Sequence, residues 1–497
     1  MQAQSPLDFD LFRRAFDMFE QLTQWMQSET SGKTHSEMER ALRDRGFELM
    51  RVMYQAWLDR RSMQERRQTV ARAPESGVKV RSRGRDIECD FGSVRLNRLG
   101  YTRVGQGTEF PLDRELNLPD EVYSLEVRQR VAFEAQRSSW DDTVETIARQ
   151  SGAHVPKRQA QELAQRAAQD LEAFYQQDPK PDNDVLSPAV LEVASCDGKG
   201  VTMLERALRE STLKAAQQAK QDPVHGDPMA PKKLRKHDKR MAIVTANWEQ
   251  ERQVRTAEEV LANLDRQPGT KKSRGPRPHD KRVHASIQKS QAQGISEMLD
   301  EMQRRDPEHQ RKTVVLLDGE GKQLKQVKNQ AKLRGLTLTI ILDLIHVIHY
   351  LWLAGNVLCD KDANRTEAFV RQYLARLLTG PANQVAASIR RQATLKKMTR
   401  KARKPVDMCC NYLLKYQDYL RYSEYMAEGL PIATGVIEGT CRYLVEDRMG
   451  ITGARWGLEG AEAVLRLRAI RCSGDWEDYW RFHERQELLR NHGNLAA

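Results

Sequence analysis

The stretch Leu191-Glu-Val-Ala-Ser-Cys-Asp-Gly-Lys-Gly200 combines a short apolar run with an acid, Asp197, and two glycines. An apolar run that glycines stop predicts a buried β-strand leading into a turn. Asp197 would then project from the edge of a sheet into a cleft. Because Asp-Gly is also common in hairpin turns, this stretch taken alone favours a turn-forming role for Asp197.

Further acids follow the same pattern downstream. Thr313-Val-Val-Leu-Leu-Asp318-Gly319 and Leu336-Thr-Leu-Thr-Ile-Ile-Leu-Asp343 are predicted strands that end in an acid, and Gly435-Val-Ile-Glu438-Gly-Thr-Cys-Arg442 predicts the start of a helix. Separated carboxylates at the ends of buried elements suit a divalent-cation site, because Mg²⁺ prefers oxygen ligands. Two such ions, roughly 3.5–4 Å apart, can hold the attacking and leaving oxygens of a phosphodiester displacement.

The composition is that of a large, highly charged chain. Its 497 residues, 39% hydrophobic and 30% charged, suffice for several domains. It contains no apolar run of about 18 residues, so no membrane span is predicted, and its first residues lack the pattern of a signal peptide. Seven cysteines without a Cys-x-x-Cys pair indicate neither a disulfide framework nor a zinc site. The cytoplasm is the expected compartment.

The net charge of +12 favours a polyanionic partner, because neutralising phosphates releases counterions. The cations cluster in residues 231–240, 271–282 and 390–404, and such runs are typical of interaction segments. We therefore expect DNA rather than a membrane or an acidic protein as the partner. Candidate contacts in the first block are Lys232, Lys233, Arg235 and Lys236.

Periodicity and composition divide the chain into regions. Strands followed by alternating strands and helices predict an α/β core with a mixed sheet, in which residues 266–284 are a basic loop. The predicted regions are 1–70, helical; 85–110, a small β-ribbon; 120–180, helix-turn-helix-like; 188–355, the first part of the core; 356–430, a helical insertion; 431–474, the final core helices; and 475–497, a C-terminal helix and tail, which we interpret as a lid or contact helix.

Residues 120–180 contain the predicted helix-turn-helix. Asp141 or Asp142 is expected to cap its first helix and Pro156 to open its second. The second helix could enter a DNA major groove; packing is the alternative, because short helical hairpins are common. The exposed start of this helix carries Lys157, Arg158, Gln159 and Gln161.

The motifs also occur in an order that resembles a known family. They continue with Ile341-Leu-Asp-Leu-Ile-His-Val-Ile-His-Tyr-Leu-Trp352 and Val445-Glu-Asp-Arg-Met-Gly-Ile-Thr-Gly-Ala-Arg-Trp456, and are preceded by Pro111-Leu-Asp-Arg-Glu-Leu-Asn-Leu-Pro119. Over residues 90–480 the chain resembles bacterial insertion-sequence transposases of the ISKra type, which belong to the DDE superfamily. The resemblance implies an RNase H-like catalytic core.

The resemblance also implies a set of catalytic residues. Three acids, Asp197, Asp318 and Glu438, would bind two Mg²⁺ ions, for which Mn²⁺ could substitute. Asp343 stays open as the alternative middle acid, and with His346 it would otherwise lie beside the site.

Other late residues are candidates for contacts with the acids or with DNA. Arg442 could pair with Glu438 or bind a phosphate. Arg448, Arg455 and Trp456 could hold a DNA end, because an aromatic ring beside arginines can stack a base. Core burial of Trp456 is the alternative.

The activity that the resemblance implies is DNA transposition in the bacterial cytoplasm, in association with the nucleoid. The protein would bind terminal inverted repeats, cleave strands, and join the freed 3′-hydroxyls to target DNA, with a homodimer or higher oligomer handling both ends. The alternatives are an RNase H-like nuclease or resolvase without strand transfer, and a domesticated DNA-binding factor.

Overall fold

The computed structural model describes residues 6–72, 77–177, 189–221, 238–263, 275–433 and 435–493; for residues 6–9, 72 and 219–221 it describes the backbone alone. The chain divides into two compact units, the first Met1–Gln176 with Asp475–Ala497, and the second Gln177–Gly474. No helix in these described ranges is long and apolar enough to cross a membrane.

The first unit begins with two helices and a small antiparallel sheet. The helices are α1 (Pro6–Ser28) and α2 (His35–Arg72), and the strands are β1 (Lys79–Cys89), β2 (Gly92–Thr102) and β3 (Thr108–Glu109), in the order β1-β2-β3. Leu58 of α2 packs against Leu96 of β2 in a buried core. The predicted ribbon therefore starts six residues earlier than expected (85 − 79 = 6).

Five short helices follow in the first unit: α3 (Pro111–Glu115), α4 (Leu125–Ala135), α5 (Trp140–Gln150), α6 (Lys157–Ala167) and α7 (Leu171–Gln177). The predicted helix-turn-helix corresponds to α5 and α6, and Pro156 directly precedes α6. The predicted cap is wrong, because Ser139 caps α5 by accepting a hydrogen bond from the Asp142 backbone N–H at 3.1 Å. A serine hydroxyl satisfies an otherwise unpaired N–H of the first helical turn.

The last helix, Trp476–His492, belongs to the first unit. Its His483 is fully buried, and its Nδ1 lies 2.7 Å from Asp170 Oδ2. The predicted lid or contact helix is therefore a packed part of this unit, held by a buried hydrogen bond.

The second unit is built on a five-stranded mixed sheet, which confirms the predicted α/β class. Its strands are β4 (Val190–Thr202), β5 (Lys239–Glu251), β6 (His279–Ser286), β7 (Thr313–Leu317) and β8 (Thr339–Leu342). The order is β6-β5-β4-β7-β8; β4 pairs antiparallel with β5 and β5 with β6, whereas β4 pairs parallel with β7 and β7 with β8. Apolar residues of β4 and β7 are almost completely buried, as expected for central strands covered on both faces.

The prediction of a basic loop over 266–284 is wrong for its last residues, which form β6. Val283 and Ala285 are buried in the sheet. Arg282, which looked like part of a solvated basic run, is also buried, because it pairs with Glu301.

Helices surround this sheet. They are α8 (Glu210–Gln221), α9 (Ala257–Asn263), α10 (Gln291–Arg305), α11 (Gly321–Arg334), α12 (Leu344–Leu358), α13 (Ala363–Thr379), α14 (Ala382–Leu395), α15 (Arg400–Lys415), α16 (Tyr422–Ala427), α17 (Gly435–Thr440), α18 (Asp447–Met449) and α19 (Leu458–Cys472). The predicted helical insertion, 356–430, covers the end of α12 and all of α13 to α16. α10 packs on β5, α19 on β6, and α17 on β4 and β5.

A buried charge network fixes α10 to the sheet. Glu301 is 2% exposed, and its carboxylate accepts hydrogen bonds from Arg282, Arg304 and Arg305 at 2.7–3.2 Å. Burial alone would raise the pKa of Glu301, but the three guanidinium groups outweigh it and lower this pKa to about 2.

We expect Glu301→Gln to lower the free energy of unfolding by about 3–5 kcal/mol, because it leaves buried arginines without their counter-charge. The pKa of Glu301 lies below its unfolded value, so its contribution is full above about pH 4.5 and is lost as pH falls towards 2. Urea unfolding at neutral and acid pH measures both effects. The control is Glu297→Gln, which removes a half-exposed ion pair with Lys289 and should cost less than about 1 kcal/mol. Equal losses for the two variants would contradict the assignment.

Candidate active site

The register of β4 and β7 brings two of the predicted acids together. These parallel strands pair Glu192 with Thr313 and Ser195 with Leu316, a constant offset of 121 positions (313 − 192 = 316 − 195 = 121). Two residues further on, the same offset aligns Asp197 with Asp318. Because adjacent strands lie about 4.8 Å apart and aligned side chains point to one face, the two carboxyl groups are neighbours.

Asp318 is a half-buried acid without a full set of partners. Its Oδ1 is buried and has no hydrogen-bond partner among the described residues. Burial raises the pKa of Asp318, the negative charge of Asp197 raises it further, and the nearby His346 opposes both effects. An unpaired carboxylate oxygen beside a second acid is the environment that a bound cation would stabilise.

Asp197 connects this pair to the helix that carries Glu438. Asp197 Oδ1 accepts a hydrogen bond from the Gly198 N–H at 2.6 Å, and Oδ2 accepts one from the Cys441 thiol at 3.4 Å. Cys441 lies three residues after Glu438, hence on nearly the same helical face. Glu438 itself is exposed. The helix of Glu438 is therefore in contact with Asp197 through Cys441.

The three carboxylates do not form one compact cluster. Within the described ranges, the one group of acids and histidines whose ligand atoms all lie within 4.8 Å of one another is Asp170, His483 and Glu487, in the first unit. Asp197 lies close enough to Asp318 for its charge to raise the pKa of Asp318, but the three acids together do not meet this criterion. A single ion touching all three acids is not preformed.

A widened helical turn follows Glu438. Residues Cys441–Glu446 form a π-helical turn, a rare feature that often occurs at functional sites. Arg468 of α19 donates hydrogen bonds to the backbone carbonyls of Leu444, at 2.8 Å, and Tyr443. These bonds compensate carbonyls that the turn exposes, and they hold the helix of Glu438 in place.

Asp343 and His346 have different roles from Asp318. Asp343 is 3% exposed and caps α12, because its Oδ1 accepts a hydrogen bond from the Ile345 N–H at 2.8 Å. His346, one turn later, lies close enough to influence the charge of Asp318. Of the two candidates for the middle acid, Asp318 is thus the one with an unpaired oxygen, which favours it as a ligand.

Tyr412 supports the backbone of Asp318. Its hydroxyl donates a hydrogen bond to the Asp318 carbonyl at 3.0 Å, and its ring stacks on Tyr350 with centroids 4.2 Å apart. The following Gly319 has a φ of +90°, and a Cβ there would lie 2.7 Å from the Tyr412 hydroxyl. Only glycine allows this approach. Sequence reasoning missed Tyr412, because it lies 94 positions from Asp318 (412 − 318 = 94).

We expect Tyr412→Phe to lower the free energy of unfolding by about 1 kcal/mol, because the half-buried Asp318 carbonyl loses its donor. The carboxylate of Asp318 would also be held less firmly and should bind divalent cations more weakly. Isothermal titration calorimetry with Mn²⁺ measures this affinity. Tyr416→Phe is the matched control: Tyr416 is similarly buried, and its hydroxyl has no hydrogen bond to the described part of the chain. If both variants kept wild-type cation affinity, Tyr412 would be a packing residue alone.

Two of the predicted DNA contacts near the end of the core are wrong. Trp456 is 4% exposed and donates its indole N–H to the Met449 carbonyl at 3.0 Å, so the alternative of core burial is correct. Arg448 is 2% exposed and lies 4.7 Å over the Trp456 ring.

Arg455 is exposed and stays a candidate. Arg442 is exposed and lies 3.7 Å from Asp447, which leaves Glu438 without this predicted partner.

The remaining candidate DNA contacts lie outside the acidic site. On α6, Lys157 pairs with Asp141 at 2.7 Å and Arg158 with Glu162 at 3.1 Å, so their charges are partly neutralised. Gln159 and Gln161 are half-buried. The contacts predicted in the first basic block fall outside the described residues; they are Lys232, Lys233, Arg235 and Lys236.

The cluster of Asp170, His483 and Glu487 is a salt-bridge network rather than a cation site. Arg490 donates to both carboxylates, and Arg128 lies 2.9 Å from Glu487 and from His483 Nε2. Arginine occupies the positions that a metal ion would take. The His-x-x-x-Glu spacing on the last helix was the available sequence signal.

No protein-family model matches the chain, and no curated protein matches it either.

Proposed function

We propose that this protein is a DDE-type DNA transposase of the ISKra kind with an RNase H-like core. The strand order β6-β5-β4-β7-β8 supports the fold, because three antiparallel strands in succession followed by two parallel ones is the arrangement expected of that core. The helices between and after the strands agree with it.

The observation that carries the proposal is the alignment of Asp197 on β4 with Asp318, which directly follows the neighbouring parallel strand β7, with the helix of Glu438 against Asp197. Asp197 and Asp318 are far apart in sequence, yet the sheet brings them side by side. A structural role would leave their carboxylates paired with cationic side chains, whereas Asp318 Oδ1 has no partner in the described ranges.

The residues fit divalent cations. Asp197 and Asp318 would hold one Mg²⁺ between them, and Glu438, on the solvent side, would complete the site for a second ion or for the DNA-bound state; Mn²⁺ would be accepted as well. Bound Mg²⁺ supplies an activated water and stabilises the leaving oxygen in phosphodiester cleavage.

The chain's own residues would prepare this site. Tyr412 fixes the backbone of Asp318, Cys441 and the Gly198 N–H orient Asp197, and Arg468 holds the turn that follows Glu438. Such fixed carboxylates need little reorganisation when charge develops in the transition state. The excess of positive charge over the chain would attract the DNA.

The test offers the purified protein labelled DNA that carries the terminal inverted repeats, together with a target plasmid and Mg²⁺. Labelled ends joined to plasmid support a transposase. Nicks without joining would indicate the nuclease or resolvase, and retention without cutting would indicate a DNA-binding factor. Because two ends must be handled together, a homodimer or larger assembly should form on the repeats, as light scattering would detect.

A further inference from the structure

One face of α11 carries exposed lysines that begin beside the acidic site. The helix has five cationic side chains and no acidic one among its 14 residues. Spacings of three, three and four residues put four of them on one side, away from the buried Leu324, Val327 and Ala331. These four exposed residues are Lys322, Lys325, Lys328 and Lys332.

The first turn of α11 is fixed next to Asp197. Gln323 is 2% exposed, and its amide donates a hydrogen bond to the carbonyl of Cys196 at 2.9 Å. The lysines therefore start at the site. They extend over ten residues (332 − 322 = 10), or about 15 Å along the helix.

A second element adds to the same surface. Lys415, at the end of α15, approaches the start of α11, because a Cβ at Gly321 would lie 3.4 Å from its Nζ. Farther along, Lys328 donates a hydrogen bond to the hydroxyl of Tyr419 at 3.2 Å. We call the four lysines of α11 together with Lys415 the lysine strip.

Among the described residues, some lysines of this unit are paired with carboxylates, whereas those of the lysine strip are not. Lys214, Lys289 and Lys312 each have a carboxylate within 3.2 Å. None of the five lysines of the strip forms an ion pair with a described residue. α11 also has no acid at i±3 or i±4 positions that could neutralise these lysines along the helix.

We propose that the lysine strip binds the phosphate backbone of duplex DNA next to the scissile bond. This inference rests on the proposed function and names the surface that positions its substrate. Lysine ammonium groups are point charges without the planar fork that reads bases, so the contact would be independent of sequence. A span of about 15 Å covers about four nucleotides of one strand.

The test measures binding of a short labelled duplex of arbitrary sequence, without divalent metal, at several salt concentrations. Each Lys→Gln change in α11 should reduce the slope of log affinity against log salt by about 0.9, and the fourfold variant by about 3.6. Lys214→Gln, which removes a lysine already paired with Glu210, should leave the slope unchanged. Circular dichroism of each variant checks that it is folded, and the single variants suffice if the fourfold one is not.

An unchanged slope in the folded single variants would overturn the proposal. So would a larger effect on a single strand than on the duplex, or equal competition by an acidic polypeptide. Failure of the proposed function would look different. The wild-type protein would then neither cleave nor join repeat DNA, whatever the salt dependence of its binding to the duplex.

Discussion

Asp318→Asn should reduce metal-dependent strand cleavage by about a thousandfold or more, while DNA binding stays close to that of the wild type. The loss corresponds to about 4 kcal/mol of transition-state stabilisation, which is in the range for removing a metal ligand. The same variant should lose the thermal stabilisation by Mg²⁺, which in the wild type reaches about 2.7 kcal/mol at a hundredfold excess over Kd. Without metal, it should be at least as stable as the wild type, because ionised Asp318 opposes folding beside Asp197.

Asp343→Asn is the matched control for this prediction. An asparagine oxygen can still accept the Ile345 N–H and cap α12, so stability and cleavage should change little. Nicking of a labelled duplex measures the cleavage rate of both variants, and thermal melting with and without Mg²⁺ measures their stabilisation by the metal. If Asp343→Asn lost activity and Asp318→Asn retained it, Asp343 would be the middle ligand and the register argument would be wrong.

Glu438→Gln should lower cleavage by about a hundredfold or more, because the solvent-side ligand loses its charge. Its exposure means that folding should be almost unaffected, with a change in the free energy of unfolding of about 0.5 kcal/mol or less. The measurement is the cleavage rate under saturating Mg²⁺, with unfolding in urea as the check on stability.

Arg442→Gln is the control on the same stretch of helix. Its side chain is 78% exposed and pairs only loosely with Asp447, at 3.7 Å. We expect a small loss of DNA affinity and an unchanged cleavage rate at saturating DNA. If Arg442→Gln and Glu438→Gln lowered the cleavage rate equally, the loss would come from disturbing this helix. Glu438 would then not be assigned as a metal ligand.

The strands that carry the acids could be predicted because strand signals are local. The run before Asp318 ends where predicted. The turn predicted after Asp197 is wrong, because β4 continues through Gly198 and Gly200 to Thr202, paired with β5. Asp343 ends a strand in the same way, so local sequence could not separate it from Asp318. The difference is whether the side chain caps the next helix, and that depends on backbone geometry.

Several charged residues that the sequence predicts to be exposed are buried in this unit. Arg282 in β6 resembled part of a basic loop, because its partner Glu301 lies on another element. Arg448 and Trp456 resembled an exposed DNA contact, but the guanidinium stacks on the ring inside the core. Burial of a charge is decided by its tertiary partner, which periodicity does not reveal.

The most direct test of the central claim is anomalous diffraction from crystals soaked in Mn²⁺. We predict a peak between the carboxylates of Asp197 and Asp318, which disappears in Asp318→Asn and persists in Asp343→Asn. Absence of this peak in the wild type, at a Mn²⁺ concentration that supports cleavage, would contradict the claim that these two acids bind the catalytic cation.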